Sequence, residues 1–138
     1  MSKRQAIIEA MVAVLADLPG NIPVHIWKDA ALLNEHDMPC MIVRDTKAES
    51  SLDGLDGGYR HRLTVELQYW DRGATAWSGV HAGLVAMLAA YMSDATLDGL
   101  VTHEELVGHE IGLEKNGAII SGGVAELALT YYTDSATI

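Results

Sequence analysis

The sequence predicts an α+β domain, with a mainly antiparallel sheet of about four to five strands and two helices packed on one face. Two stretches and the order of the elements carry this reading. From Tyr59 to Tyr69 the chain alternates. Tyr59, His61, Leu63, Val65, Leu67 and Tyr69 fall on one side, and Arg60, Arg62, Thr64, Glu66 and Gln68 fall on the other. A period of two is that of a strand with one buried face. From Ala76 to Met92 the period changes, and Trp77, Val80, Leu84, Met87, Leu88 and Tyr91 form a helical stripe suited to lie across a sheet. The whole chain reads α-β-β-β-α-β-β, and strands clustered around two helices indicate antiparallel pairing with the helices on one side.

Taken in order, Ser2 to Leu18 reads as an amphipathic helix, because Ile7, Met11, Val14, Leu15 and Leu18 recur at helical spacing. Pro19-Gly20-Asn21 ends it. Val24 to Trp27 is a short strand, and Lys28 to Asp37 is polar and irregular. Pro39 opens a second strand, Cys40-Met41-Ile42-Val43, whose consecutive apolar residues suit a strand covered on both faces. Asp45 to Gly58 reads as a long connection, with residues 46–58 as its mobile part. Its Asp-Gly steps and paired glycines favour turns, and connections of this length are often functional. Leu52 and Leu55 stand out within it as apolar residues suited to dock on something. Asp71-Arg72-Gly73 then breaks the central strand, and Thr75 can cap the second helix. After a turn beginning at Asp94, Val101 to Leu113 is rich in strand formers. Lys115-Asn116-Gly117 signals a hairpin turn. Ala118 to Thr133 is the last strand, with Ala125, Leu127, Leu129 and Tyr131 inward, and Gly122-Gly123 marks a bulge. The chain forms one domain over residues 1–138.

Hydrophobic residues make up 49% of the 138, enough for a real core. No apolar run approaches the ~20 residues of a membrane helix, and the N-terminus shows no secretory pattern. A single cysteine, Cys40, excludes an internal disulfide and reads as a small core residue. Nine basic residues against nineteen acidic ones give a net charge of -10. A protein that grips nucleic acid shows a basic stripe, whereas here only Arg60 and Arg62 share a strand face.

Candidate chemistry is sparse. His103, Glu105 and His109 share one side of a strand if it is regular, but no second ligand pair accompanies them as zinc requires. Glu104-Glu105 and Asp53 with Asp56 offer at most a weak divalent-cation site, and neither matches a calcium loop. Gly54-Leu55-Asp56-Gly57-Gly58 lacks the Lys-Ser/Thr that completes a phosphate loop. No motif places a serine or cysteine nucleophile beside a histidine. No catalytic residue, no metal ligand and no cofactor is assigned.

Laid out this way, the chain resembles the tail terminator proteins of long-tailed phages, the lambda-type minor tail protein U family. The resemblance runs through the N-terminal helix, Met38-Pro39-Cys40-Met41-Ile42-Val43, and the acidic, glycine-rich stretch Glu49–Gly58. It continues through His61-Arg62-Leu63-Thr64-Val65-Glu66-Leu67, the turn Met92-Ser93-Asp94 with Leu97-Asp98-Gly99-Leu100-Val101, and the closing strand Ala125–Tyr132. No single motif is unique; order and spacing together carry it. The resemblance implies a non-enzymatic α/β subunit of the virion tail, assembled in the bacterial cytoplasm. It implies a homo-hexameric ring that caps the tail tube protein, stops its polymerisation and meets a head-completion or connector protein, with DNA passing through the hole. The surface expected to make subunit and tube contacts comprises Thr46, Lys47, Glu49, Leu52, Asp53, Leu55, Asp56, Arg60 and Arg62. Two other classes fit the sequence: another neck or tail component, such as a head–tail joining protein or tube subunit, and a small cytoplasmic α+β enzyme or ligand-binding domain.

Overall fold

The computed structural model describes residues 2–26, 35–53, 57–73, 76–93, 96–115 and 120–134. Helix α1 spans Lys3–Ala16, strand β1 Val24–Ile26, a 3-10 turn Glu35–Asp37, β2 Cys40–Asp53, β3 Gly58–Arg72, α2 Ala76–Ser93, β4 His103–Lys115 and β5 Ile120–Thr133. Ser2 caps α1, its hydroxyl accepting from the Gln5 N–H at 3.0 Å. The helix ends before Gly20 and Asn21, which both take positive φ. The five strands form one sheet in the order β1-β2-β3-β5-β4. β1 runs parallel to β2, and every other pair is antiparallel. The fold is α+β with both helices against the sheet.

Both helices share one face because the strands offer one continuous apolar surface. Ile7, Met11 and Leu15 of α1 and Val80, Leu84, Met87 and Tyr91 of α2 meet Met41, Val43, Leu63, Val65, Leu67, Ala125, Leu127, Leu129 and Tyr131. On the opposite face a smaller apolar cluster, Met38, Cys40, Ile42, Trp70 and Ile120, covers one end of the sheet. The Cys40–Val43 run is therefore apolar at consecutive positions because both its faces are covered. Beside this cluster Trp70 donates its indole N–H to Gln68 Oε1 at 3.0 Å, and Gln68 donates to Glu66 at 3.2 Å. Elsewhere that face carries Glu49, Arg60, Arg62, Glu66, Glu105 and Glu126 among neutral residues.

Three expectations are corrected. The stretch expected to be an irregular connection from Thr46 to Gly58 is strand through Asp53 and again from Gly58. It is paired residue by residue, from Lys47 opposite Thr64 to Asp53 opposite Gly58. Only residues 54–56 of it, including Leu55 and Asp56, lie outside the described residues. The sequence hides this half of β2 because Thr46, Lys47, Glu49, Ser50, Ser51 and Leu52 are all exposed, so no apolar face marks it. Trp77 is 65% exposed rather than in the core stripe of α2, and Ala76 and Gly83 occupy buried positions instead. Gly122-Gly123 does not form a bulge, since the β3–β5 register runs through it unbroken. The extra residues of the bulges are Thr46 in β2 and Val107 and Gly112 in β4, the last opposite Gly122-Gly123. The glycines instead admit large neighbours on both faces of the sheet: a Cβ on Gly122 would stand 2.4 Å from the Trp70 ring, and one on Gly123 2.6 Å from Leu84. Thr75 and Asn116-Gly117 lie outside the described residues, although Lys115 opposite Ile120 shows β4 and β5 paired up to their connection.

Candidate functional site

The surface of this fold offers three assemblies of side chains. The first is a groove on the charged face of the sheet. Strand alternation sends Glu49 and Ser51 of β2 and Arg60 and Arg62 of β3 to the same face, and Ser50, His103, Thr130 and Tyr132 complete the lining. The groove is open and encloses about 610 Å³. Arg62 reaches Glu105 at 3.3 Å, and Lys47 lies 3.8 Å from Glu49. Both are exposed pairs, worth little to stability. Of the residues expected from sequence, the register brings Lys47, Glu49, Arg60 and Arg62 together. Thr46 is the extra residue of a bulge, its hydroxyl donating to the Thr64 carbonyl at 3.4 Å. Asp53 ends β2, and Leu52 is 68% exposed on the other face. Nothing in the sequence places His103, Thr130 and Tyr132 beside Arg60 and Arg62, because cross-strand register is not written in any one segment.

The second assembly lies on the outside of α2. Trp77, Val85 and Met92 are exposed, with Trp77 and Val85 each 65% open to solvent. With His81 and the partly buried Leu88 they recur at helical spacing, so they form a stripe beside the one that faces the sheet. Trp77 and His81 rest ring against ring, centroids 4.2 Å apart. A helix apolar well beyond its core-facing side has surface to spare for a partner. The third comprises the two outer edges of the sheet, where Leu52 of β2 and Leu106 and Val107 of β4 are exposed.

The His103, Glu105, His109 trio does not form. The bulge at Val107 shifts the register, so His103 and Glu105 pair with Thr130 and Ala128 on the charged face while His109 pairs with Ala125 on the helix face. Among the described residues, no group of three or more His, Cys, Asp or Glu side chains is placed to hold a metal ion. No helix among them is long and apolar enough to cross a membrane.

At the far end of β2 the buried His61 anchors a partly buried polar network. His61 accepts or donates at Nδ1 with Ser50 Oγ at 2.7 Å and at Nε2 with Thr133 Oγ1 at 2.8 Å. Its ring stacks on Tyr131 at 4.7 Å, and the buried Tyr131 hydroxyl has no hydrogen-bond partner among the described residues. Burial, and then the positive charge of Lys3, lower the His61 pKa below 6.5. The folded state thus favours neutral His61. Stability from this group is complete above about pH 6.5 and declines as the pH falls below it, because the unfolded chain takes up the proton first. The parent is expected to lose more stability between pH 7 and pH 5.5 than a His61→Gln variant. Denaturant unfolding across that range measures it, and equal slopes would refute it.

No family model matches this chain, and no curated protein matches it. Among solved structures, the chain is similar to a chain from the virion of a native gene transfer agent particle. The two are 13% identical with a TM-score of 0.36, over 96% of this chain and 92% of that one.

Proposed function

We propose that this protein is a structural component of a phage tail, acting without catalysis as a ring-forming tail terminator. Its partners in this reading are copies of itself, the end of the tail tube and a head-completion protein, with DNA meeting it only in passage. The observation that carries the reading is the exposed stripe Trp77, Val85 and Met92 on α2. A monomer has no use for a bare indole and two aliphatic side chains in line, whereas a subunit buries them. The element order α-β-β-β-α-β-β, now seen along the chain, is the one on which the resemblance to tail terminators rests.

The test uses purified protein and tail tubes growing in vitro, viewed by electron microscopy. The parent is expected to form closed rings, sit at tube ends and narrow the distribution of tube lengths. A Trp77→Ser, Val85→Ser variant should unfold at about the parent's temperature, since neither side chain is in the core, and should lose end binding. Tubes that elongate equally with and without the parent protein would overturn the proposal.

A further inference from the structure

We infer that copies of this chain join through the sheet, the outer edge of β4 in one copy lying antiparallel along the open edge of β2 in the next. The inference rests on the ring reading above and names its contact.

Among the described residues the sheet ends in two open edges. β1 pairs only with Met41–Val43, so β2 from Asp45 to Asp53 has β3 on one side and no strand on the other. β4 is flanked by β5 alone. Exposure agrees: Lys47, Glu49 and Ser51 on one edge and Glu105, Val107 and Glu110 on the other are open to solvent. Edge strands of this length present rows of backbone donors and acceptors that template pairing with another chain. The bulges at Val107 and Gly112 divide β4 into short regular runs, which keeps such a contact short and reversible.

Strand direction selects the partner edge. β2, β3, β5 and β4 alternate in direction along the sheet, so β4 runs opposite to β2. A rotation about an axis along the strands preserves direction. The next copy's β2 would therefore meet β4 antiparallel, as the main pairs within the sheet do. Two β4 edges could also pair about a two-fold axis, but the joint would then gather Glu104, Glu105 and Glu110 of both copies along one ladder, and like charges across a ladder are destabilising. The β2 edge carries both signs instead, Lys47 beside Glu49, with Arg60 and Arg62 on the adjoining strand of the same face. Joining two different edges leaves each subunit with one of each kind free, so the contact repeats until a ring closes.

Disulfide trapping tests this directly. The native Cys40 is fully buried and does not interfere. One set of chains carries Lys47→Cys, Glu49→Cys or Ser51→Cys, and the other Glu105→Cys or Val107→Cys, each checked for parental circular dichroism. Residues paired across antiparallel strands lie about 5 Å apart at Cα, within disulfide reach. Mild oxidation of mixed sets is expected to give a cross-linked heterodimer for at least one pair, and neither set alone should cross-link. Cross-linking within the β4 set alone, or the β2 set alone, shows a two-fold contact and overturns the inference. Rings visible by microscopy with no cross-link in any mixture overturn it while leaving the ring reading intact. Neither rings nor cross-links at any concentration would overturn both.

Discussion

Replacing Gly83 with alanine is expected to destabilise the protein by about 1–3 kcal/mol, the usual range for overpacking a core. The sign is informative, because the same change at an open helix position stabilises by about 1 kcal/mol through helix propensity. At Gly83 the new methyl carbon would stand 2.4 Å from the Tyr69 ring, at its root rather than at a mobile tip. Tyr69 is 6% exposed and belongs to the main core, so the ring has nowhere to swing without moving α2 from β3. The expected fall in melting temperature is about 3–10 °C for a chain of this length. Shortening the ring in a Gly83→Ala, Tyr69→Leu double variant should make the combined loss smaller than the sum of the single ones, as expected of residues in contact. Thermal unfolding of the three variants decides the matter. A Gly83→Ala protein as stable as the parent would show that α2 is not held this close to the sheet.

The second large effect is expected at Arg4. Its Nε donates to Asp45 Oδ2, and the two side chains are only 24% and 13% exposed. The pair ties the first turn of α1 to β2 just beyond the part of that strand that β1 covers. Arg4→Met keeps the length of the side chain and removes its charge, leaving the Asp45 carboxylate in a mostly dry site without this partner. Breaking a buried ion pair from one side costs about 3–5 kcal/mol, and partial exposure here places the expected loss at about 2–3 kcal/mol. Arg4→Met combined with Asp45→Asn should recover part of it, since a neutral amide is less costly to bury than a carboxylate that has lost its Arg4 partner. Urea unfolding of the cycle measures the coupling, and a coupling near zero would show that α1 is held by its apolar face alone.

The elements that can be read from sequence are those whose order is written locally. β3 shows its alternation because Leu63, Val65 and Leu67 face the helices while Arg60, Arg62 and Glu66 face the charged side. α1, the buried part of α2, and Ala125, Leu127, Leu129 and Tyr131 of β5 stand out for the same reason. Misreadings arise where a second demand is laid over the pattern. Trp77 sits one position from the buried stripe of α2, and a helix apolar on two adjacent sides gives no sign of which side meets the core. Gly122 and Gly123 look like a break in a strand, yet they are the space that Trp70 and Leu84 fill. The residues grouped as a candidate surface were partly gathered: Glu49, Arg60 and Arg62 share the groove, while Leu52 points to the other face.

By itself the sequence determined the α+β class, the order of elements and the inward face of each central strand, because burial of apolar side chains imposes its period on the chain that carries it. The tertiary structure decided that β2 continues to Asp53 as an edge strand, that bulges in β4 part His109 from His103 and Glu105, and that the charged groove forms where four strands come into register. An exposed edge carries no apolar period, a bulge is one residue of slip against a neighbouring strand, and a groove belongs to several strands at once. Each is fixed by pairing between segments distant in the chain.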